Sequence, residues 1–177
     1  MTLEKQLLKL ARTFDQDSLA VIYDRYSPKL YRYAVRLLGD EAQAEDCVAE
    51  TFSRFLQALQ KGGGPREHLQ AYLFRIAHNW VTDQYRRQPP VPLDPDDPIE
   101  ADSVTDPQTA ADETFLQDQV RSALKELTPE QRQVIVLKYL ENWSNAEVAK
   151  AMGKPVGAVK SLQHRALAAL RRLLDSE

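Results

Sequence analysis

Apolar residues recur every three or four positions along most of the chain, the spacing that places them on one face of an α-helix. Asp17 or Ser18 is expected to cap the second helix of the N-terminal half, and Pro28 is expected to kink or restart it. Gly39 and the Gly62–Gly64 run interrupt the pattern and mark loops. In that half the spacing predicts helices over residues 3–13, 17–38, 42–59 and 67–87.

The C-terminal half opens with two further predicted helices. The first covers residues 115–127. Thr128–Gln131 then has the capping-box pattern, with proline at the first helical position, and opens a helix that runs through Leu140. Glycine is scarce, with 6 residues in the chain, while Leu, Ala, Arg, Gln and Glu are abundant, which favours helix. The sequence therefore predicts an all-α fold.

The last two predicted helices form a recognisable pair. Ser144–Glu147 repeats the capping pattern and opens a short helix that ends at Met152. Gly153 suits a left-handed turn, and Pro155 begins a long final helix through Leu174. A short helix, a turn and a longer helix make up a helix-turn-helix unit.

The net charge of −3 conceals an uneven distribution. Residues 89–113 contain eight acidic residues and six of the ten prolines, without Lys or Arg, whereas the flanking segments carry net charges of +2 and +3. Proline disrupts helical hydrogen bonding, so this segment is predicted to be an extended acidic tether. We predict two small helical domains, 1–88 and 114–177, joined by a flexible linker over 89–113, and we expect the domains to move relative to each other.

The side chains that might support catalysis or bind a metal form no known motif. Cys47 is the only cysteine, and the sequence contains no HExxH, CxxC, Gly-rich phosphate loop or nucleophile elbow. His68, His78 and His164 do not have the spacing of a ligand cluster. We therefore expect no metal, no cofactor, no catalytic residues and no enzymatic activity.

Two observations bear on location. No apolar run approaches the roughly 18 residues that a membrane span requires. The N-terminal MTLEKQLLKL is amphipathic and lacks the apolar core and cleavage site of a signal peptide. We expect a cytoplasmic protein without membrane insertion.

Polar side chains cluster near the N-terminal half of the last predicted helix. Such side chains can reach base edges and phosphates in a DNA major groove. An ordinary helical hairpin with a solvated basic face would have the same periodicity, and spacing alone does not separate the two interpretations. The candidate DNA-binding residues are Lys160, Ser161, Gln163, His164 and Arg165.

These residues lie within a longer stretch that resembles the promoter-binding domain of extracytoplasmic-function (ECF) sigma factors. It contains LTPEQR, SNAEVA, VGAVKS and RA in the family's order. Independently, YDRYSPKLYRYAVRLLGDEAQAEDCVAETFSRFLQAL resembles the family's core-binding stretch, and LQAYLFRIAHNWVTDQYRR resembles its DNA-melting helix. The resemblance covers nearly the whole chain except the linker. One departure is Tyr72, where the family usually has Trp, a conservative change at a predicted core position.

The resemblance implies roles for residues in the N-terminal half. Asp46 and Glu50 would dock a basic coiled coil of the polymerase largest subunit, although a solvated acidic face is the alternative. The GGGPRE loop lies where the family captures a flipped base. Asp83 is either a DNA-facing residue or a structural partner of a nearby arginine. The implied residues for binding and melting the downstream promoter element are Arg75, Asn79, Asp83, Arg86 and Arg87.

The function that these motifs predict is promoter-specific transcription initiation. The implied partners are core RNA polymerase, promoter DNA and an anti-sigma factor. Two alternatives are a helix-turn-helix regulator that acts without polymerase and a protein-interaction adaptor that has lost DNA binding. The N-terminal motifs argue against the first alternative, and the presence of Lys160, Ser161 and Arg165 argues against the second.

Overall fold

A computed structural model describes the backbone of residues 2–87 and 107–175, and the side chains of residues 2–87 and 117–175. Every regular element in these ranges is helical. The predicted all-α fold is therefore confirmed for the described residues. Most of the predicted acidic linker lies outside them, so the proposed domain bounds stay predictions.

The N-terminal domain is built from four helices that pack around one apolar core. Asp15, rather than Asp17 or Ser18, caps the second helix, because its carboxylate accepts a 2.9 Å hydrogen bond from the Ser18 amide. Pro28 lies inside this helix without ending it. Pro28 and Asp24 are both exposed, so water can satisfy the carbonyl that proline leaves unpaired. The helices are α1 (Leu3–Ala11), α2 (Gln16–Leu38), α3 (Glu41–Gln60) and α4 (Leu69–Arg87).

The C-terminal domain contains the predicted helix-turn-helix. Thr128 and Gln131 form the expected capping box, Ser144 caps the next helix, and Gly153 adopts the left-handed conformation with φ of 65°. The helix after Thr128 ends in a π-helical segment, Val136–Leu140, instead of continuing as α-helix. The helices are α5 (Pro107–Glu126), α6 (Pro129–Ile135), α7 (Asn145–Met152) and α8 (Val156–Asp175).

Helix α5 begins earlier than its apolar pattern predicts. It starts at Pro107, whereas the sequence predicts a start at Phe115. Proline is compatible with the first helical turn, and Ala110 and Ala111 have high helix propensity. Apolar periodicity does not reveal this turn, because residues 107–114 have no large apolar side chain.

The two domains lie in direct contact, and their buried apolar residues form one continuous core. Trp143 of the C-terminal domain packs edge-on against Phe74 of α4, with ring centroids 5.0 Å apart. Gly39, in the left-handed conformation after α2, leaves room for Arg121, whose Nη1 would lie 2.8 Å from any Cβ at that position. The structure thus shows one docked arrangement of the two domains, and their movement relative to each other stays a prediction.

Candidate nucleic-acid and protein interfaces

Helix α8 has a buried apolar side and an exposed polar side. Val159, Leu162 and Ala166 are buried against the rest of the C-terminal domain. The turn at Gly153 positions the N-terminal half of α8 so that most of its polar side chains face outward. The exposed candidates are Lys160, Ser161, His164 and Arg165.

Two of the candidate residues on α8 have local hydrogen bonds. The Gln163 amide is half-buried and donates a 2.7 Å hydrogen bond to the Asn145 side chain at the start of α7. The Ser161 hydroxyl donates to the Gly157 carbonyl at 3.2 Å. Gln163 thus ties the two helices of the unit together, whereas Lys160 and Arg165 stay exposed.

A shallow basic groove extends from Arg165 toward the end of α8. Arg165, Arg171, Arg172 and Gln131 line it, together with Ala168 and Asp175. Three guanidinium groups along one groove favour contact with phosphates. Arg171 and Arg172 are not among the candidates predicted from the sequence, although Arg172 follows Arg165 by seven residues, which places both on one face of the helix.

The downstream-element candidates on α4 differ in their exposure. Asn79, Arg86 and Arg87 are exposed. Asp83 Oδ1 lies 4.0 Å from Arg86 Nη1, and both side chains are well exposed, so this ion pair is weak. Arg75 is exposed as well, so all five candidates are accessible to a ligand in this arrangement.

Arg75 is the candidate on α4 whose surroundings differ most from the expectation. Its Nε donates to the Ala151 carbonyl at 2.9 Å, and its Nη2 donates to the Lys150 carbonyl at 3.0 Å. Both acceptors belong to α7 of the other domain. The guanidinium thus uses its Nε and Nη2 donors at the domain contact, while the residue itself stays exposed.

The GGGPRE loop is held by Arg12, which follows the end of α1 and is not part of any motif in the sequence. The Arg12 guanidinium donates to the carbonyls of Gly63, Gly64 and Pro65 at 3.0 to 3.1 Å. Gly62 and Gly64 adopt positive φ of 80° and 86°, which glycine tolerates. The predicted loop is present, and the Arg12 hydrogen bonds give it a defined shape.

The acidic candidates on α3 face outward. Asp46 is exposed. Glu50 Oε1 accepts from Arg54 Nε at 2.9 Å, and each of these side chains is 43% exposed. Because an exposed ion pair contributes little free energy, Glu50 can readily exchange Arg54 for another basic partner. The arrangement is compatible with both interpretations of this face, a docking surface and a solvated one.

Cys47 of α3 and His78 of α4 are both buried, and neither lies on a predicted binding face. Burial raises the pKa of the Cys47 thiol to about 12, so the thiol stays protonated and unreactive. His78 Nδ1 shares a 3.1 Å hydrogen bond with the Tyr33 hydroxyl. Burial, and secondarily the Arg132 guanidinium, lowers the pKa of His78 to about 4. His78 is therefore neutral in the folded chain at neutral pH.

His78 is expected to make the chain acid-sensitive. The unfolded chain binds a proton below the ordinary histidine pKa of 6.5, whereas the folded chain does so only near 4. The free energy of unfolding should therefore fall with decreasing pH across this window, by up to about 1.4 kcal/mol per pH unit. Urea unfolding of the parent and His78→Gln at several pH values measures the difference. Parallel pH series would show that His78 does not contribute.

Arg132 is a buried arginine to which the sequence assigned no role. It is 3% exposed. Its Nε donates to the Leu124 carbonyl at 3.0 Å, its Nη2 donates to the Leu127 carbonyl at 3.2 Å, and its guanidinium lies 4.1 Å from the Tyr85 ring centroid. Arg132 therefore satisfies carbonyls at the end of α5 and also contacts the other domain.

Comparison with known proteins decides the family. Models of Sigma-70 region 2 and Sigma-70 region 4 match residues 22–89 and 117–170. The chain is 36% identical over 161 residues to the ECF RNA polymerase sigma factor SigL of Mycobacterium tuberculosis, covering 89% of each chain. The chain belongs to the ECF family of RNA polymerase sigma factors. This sigma factor accordingly acts in directing transcription initiation, and its family is one of non-enzymatic initiation factors.

Further similarities extend along the whole sigma factor. It is 32% identical over 174 residues to the ECF sigma factor BldN of Streptomyces coelicolor, covering 97% of this chain and 66% of BldN. The solved structure of CnrH, in complex with the cytosolic domain of CnrY, has 28% identity and a TM-score of 0.73, with 98% of each chain covered. RpoE of Bartonella quintana, in complex with the anti-sigma factor NepR, has 26% identity and a TM-score of 0.56, covering 93% of this chain and 98% of RpoE.

The described part of the sigma factor contains neither a membrane-spanning helix nor a metal cluster. No helix in the described part of the chain is long and apolar enough to cross a membrane. Residues 2–87 and 117–175 bring together no group of three His, Cys, Asp or Glu side chains suited to a metal ion.

Proposed function

We propose that this sigma factor binds core RNA polymerase through the acidic side of α3, melts the downstream promoter element with α4 and reads the upstream element with α8. Asp46 and Glu50 are the proposed polymerase contacts. The upstream element is read by Lys160, Ser161, Gln163, His164 and Arg165. The downstream element is bound by Arg75, Asn79, Asp83, Arg86 and Arg87.

The observation that supports this assignment best is that α8 has one exposed polar side and one buried apolar side. Lys160, His164 and Arg165 are exposed on a helix whose opposite side is buried. The neighbouring groove adds Arg171 and Arg172. A helix that binds in the major groove requires side chains that contact base edges and, next to them, cationic side chains that contact phosphates.

The proposal extends to the setting in which the protein works. It acts in the cytoplasm, has no catalytic activity of its own, and is regulated by an anti-sigma factor. The complexes of CnrH with CnrY and of RpoE with NepR support the last point by analogy. The match to Sigma-70 region 2 argues against a regulator that works without polymerase, because that region is a polymerase-binding one in the family.

Run-off transcription on a promoter library tests the proposal directly. Core RNA polymerase is combined with the full-length protein, and transcripts are sequenced to find the promoters used. We expect a defined set with shared upstream and downstream elements. Transcripts no different from those of core polymerase alone would reject the proposed function.

Asn79 offers a test of melting that is separate from folding. Because its side chain is exposed, Asn79→Ala should change the free energy of unfolding by no more than about 0.5 kcal/mol. Transcription from a duplex promoter should fall, and a pre-melted promoter should restore much of it. Equal loss on both templates would exclude a melting role. Gln6→Ala, a neutral exposed change on α1 outside the proposed interfaces, serves as the matched control.

A further inference from the structure

Helix α1 precedes the part of the chain that matches Sigma-70 region 2, which begins at residue 22. Leu8 and Ala11 of α1 are buried in the core of the N-terminal domain. A helix anchored through buried side chains is a rigid support for the polar side chains that it carries. Two such side chains, one at each end of α1, reach the segment 62–69, which leads into α4.

Arg12, directly after α1, binds the middle of the segment 62–69. Its guanidinium donates to three consecutive carbonyls, those of Gly63, Gly64 and Pro65. The planar fork of five N–H donors allows one arginine to bind several acceptors at once. Pro65 is buried as well. Arg12 therefore fixes the position of this backbone relative to α1.

Glu4, in the first turn of α1, binds the end of the segment 62–69. Its carboxylate accepts a hydrogen bond from the backbone N–H of Leu69, the first residue of α4. The first amides of a helix lack partners within it, and the residue before the helix commonly supplies an acceptor. Here that acceptor comes from a residue 65 positions earlier in the chain. Glu4 therefore fixes where α4 begins.

His68 shows that these contacts hold an unusual backbone shape. It precedes α4, and its carbonyl accepts a hydrogen bond from the Tyr72 amide at 3.1 Å. Its φ is 57°, whereas a residue that caps a helix is ordinarily extended. A residue with a Cβ adopts positive φ only where the surrounding structure enforces it. The contacts of Arg12 and Glu4 lie on either side of His68 and supply that enforcement.

The exposed residues of the segment 62–69 continue into the exposed face of α4. Arg66 and His68 are exposed, as are Arg75 and Asn79. Arg75 and Asn79 follow His68 by seven and eleven residues, the spacing of one helix face. The Arg66 guanidinium adds a cation suited to phosphate at the start of this face. The position of the segment therefore decides how this surface meets a ligand.

We propose that Arg12 and Glu4 are positioning residues for promoter recognition, which hold the segment 62–69 and the start of α4 in the orientation that contacts the downstream promoter element. The proposal rests on the proposed function of α4. Neither residue has to touch DNA, because each acts through backbone groups of the segment. A shift of the segment by about 1 Å is sufficient to weaken a base contact.

Base discrimination at the downstream element measures the effect in the full-length protein with core polymerase. The templates are the strongest promoter from the library and versions in which each base of its downstream element is replaced in turn. We expect Arg12→Gln to reduce the ratio of transcription between the original and the weakest template about tenfold, the contribution of one base contact. Discrimination at the upstream element should not change. Lys9→Gln, at an exposed cation of α1, is the control and should keep both ratios.

Conservative variants separate positioning from loss of charge. Arg12→Lys keeps the charge but lacks the forked donors, so its discrimination should lie between those of the parent and Arg12→Gln. Glu4→Gln keeps an acceptor for the Leu69 amide and should discriminate better than Glu4→Ala. Hydrogen exchange at the Leu69 amide, measured without DNA, should be faster in Glu4→Ala than in Glu4→Gln. This exchange rate reports the hold on the segment directly.

A loss of transcription that is equal on all templates would mean that Arg12 acts only in folding, and it would overturn the positioning role. Unchanged discrimination in both Arg12→Gln and Glu4→Ala, with circular dichroism showing folded proteins, would overturn it too. If the parent itself does not discriminate between bases of the downstream element, the proposed function of α4 fails. Hydrogen exchange would then still decide whether α1 holds the segment 62–69.

Discussion

Replacing Lys160 and Arg165 together with alanine is expected to reduce transcription from promoters that depend on the upstream element by at least about tenfold, because each base or phosphate contact contributes about 1–3 kcal/mol. Both side chains are exposed on α8, so folding should not change. Run-off transcription with core polymerase measures the loss, and binding at several salt concentrations shows whether the salt dependence becomes weaker.

The matched control removes two positive charges elsewhere. Lys9→Ala with Lys125→Ala changes exposed residues on α1 and α5 that lie outside the proposed reading face. The control should keep most of the activity, which separates a specific contact from a general loss of attraction to DNA. Parental transcription by the Lys160/Arg165 double variant would mean that α8 does not read the upstream element.

Replacing Arg132 with methionine is expected to cost about 3 kcal/mol of unfolding free energy, the largest stability effect that we predict for a charged side chain. The change leaves carbonyls at the end of α5 without donors in a buried site and removes the guanidinium from the Tyr85 ring. Urea unfolding followed by circular dichroism measures it.

Two further variants define what Arg132 contributes. Arg132→Lys retains the charge but lacks the forked donors, so its stability should lie between those of the parent and the methionine variant. Arg171→Met, the same change at an exposed position, should stay within about 0.5 kcal/mol of the parent. A loss below about 1 kcal/mol for Arg132→Met would show that water replaces the arginine at little cost.

Local signals in the sequence predicted much of the fold. The Thr128 and Ser144 caps and the left-handed Gly153 lie where the pattern placed them, because each acts within a few residues of itself. The family and its role in transcription initiation followed from motifs in both halves, and the comparisons confirm them.

The contacts between distant segments could not be predicted in the same way. Arg12 binds a loop about fifty residues later, and Glu141 pairs with residues of α2. No periodic pattern in the sequence connects the partners in either contact. Arg75 of α4 has the spacing of a DNA-facing residue. Only the structure shows that its guanidinium donates to a carbonyl of α7. A long polar side chain has several feasible partners, and which one it meets depends on packing that a linear pattern does not contain.

The hydrogen bonds from Arg12 to the glycine loop affect which residues of the loop can vary in sequence. Arg12 contacts only backbone carbonyls, at Gly63, Gly64 and Pro65. Carbonyls belong to every residue type, so these contacts do not depend on the side chains of the loop, although the positive φ angles of Gly62 and Gly64 still favour glycine there. Natural variation or directed evolution can therefore alter the chemistry at the exposed positions Arg66 and Glu67 while the backbone that displays them is inherited unchanged.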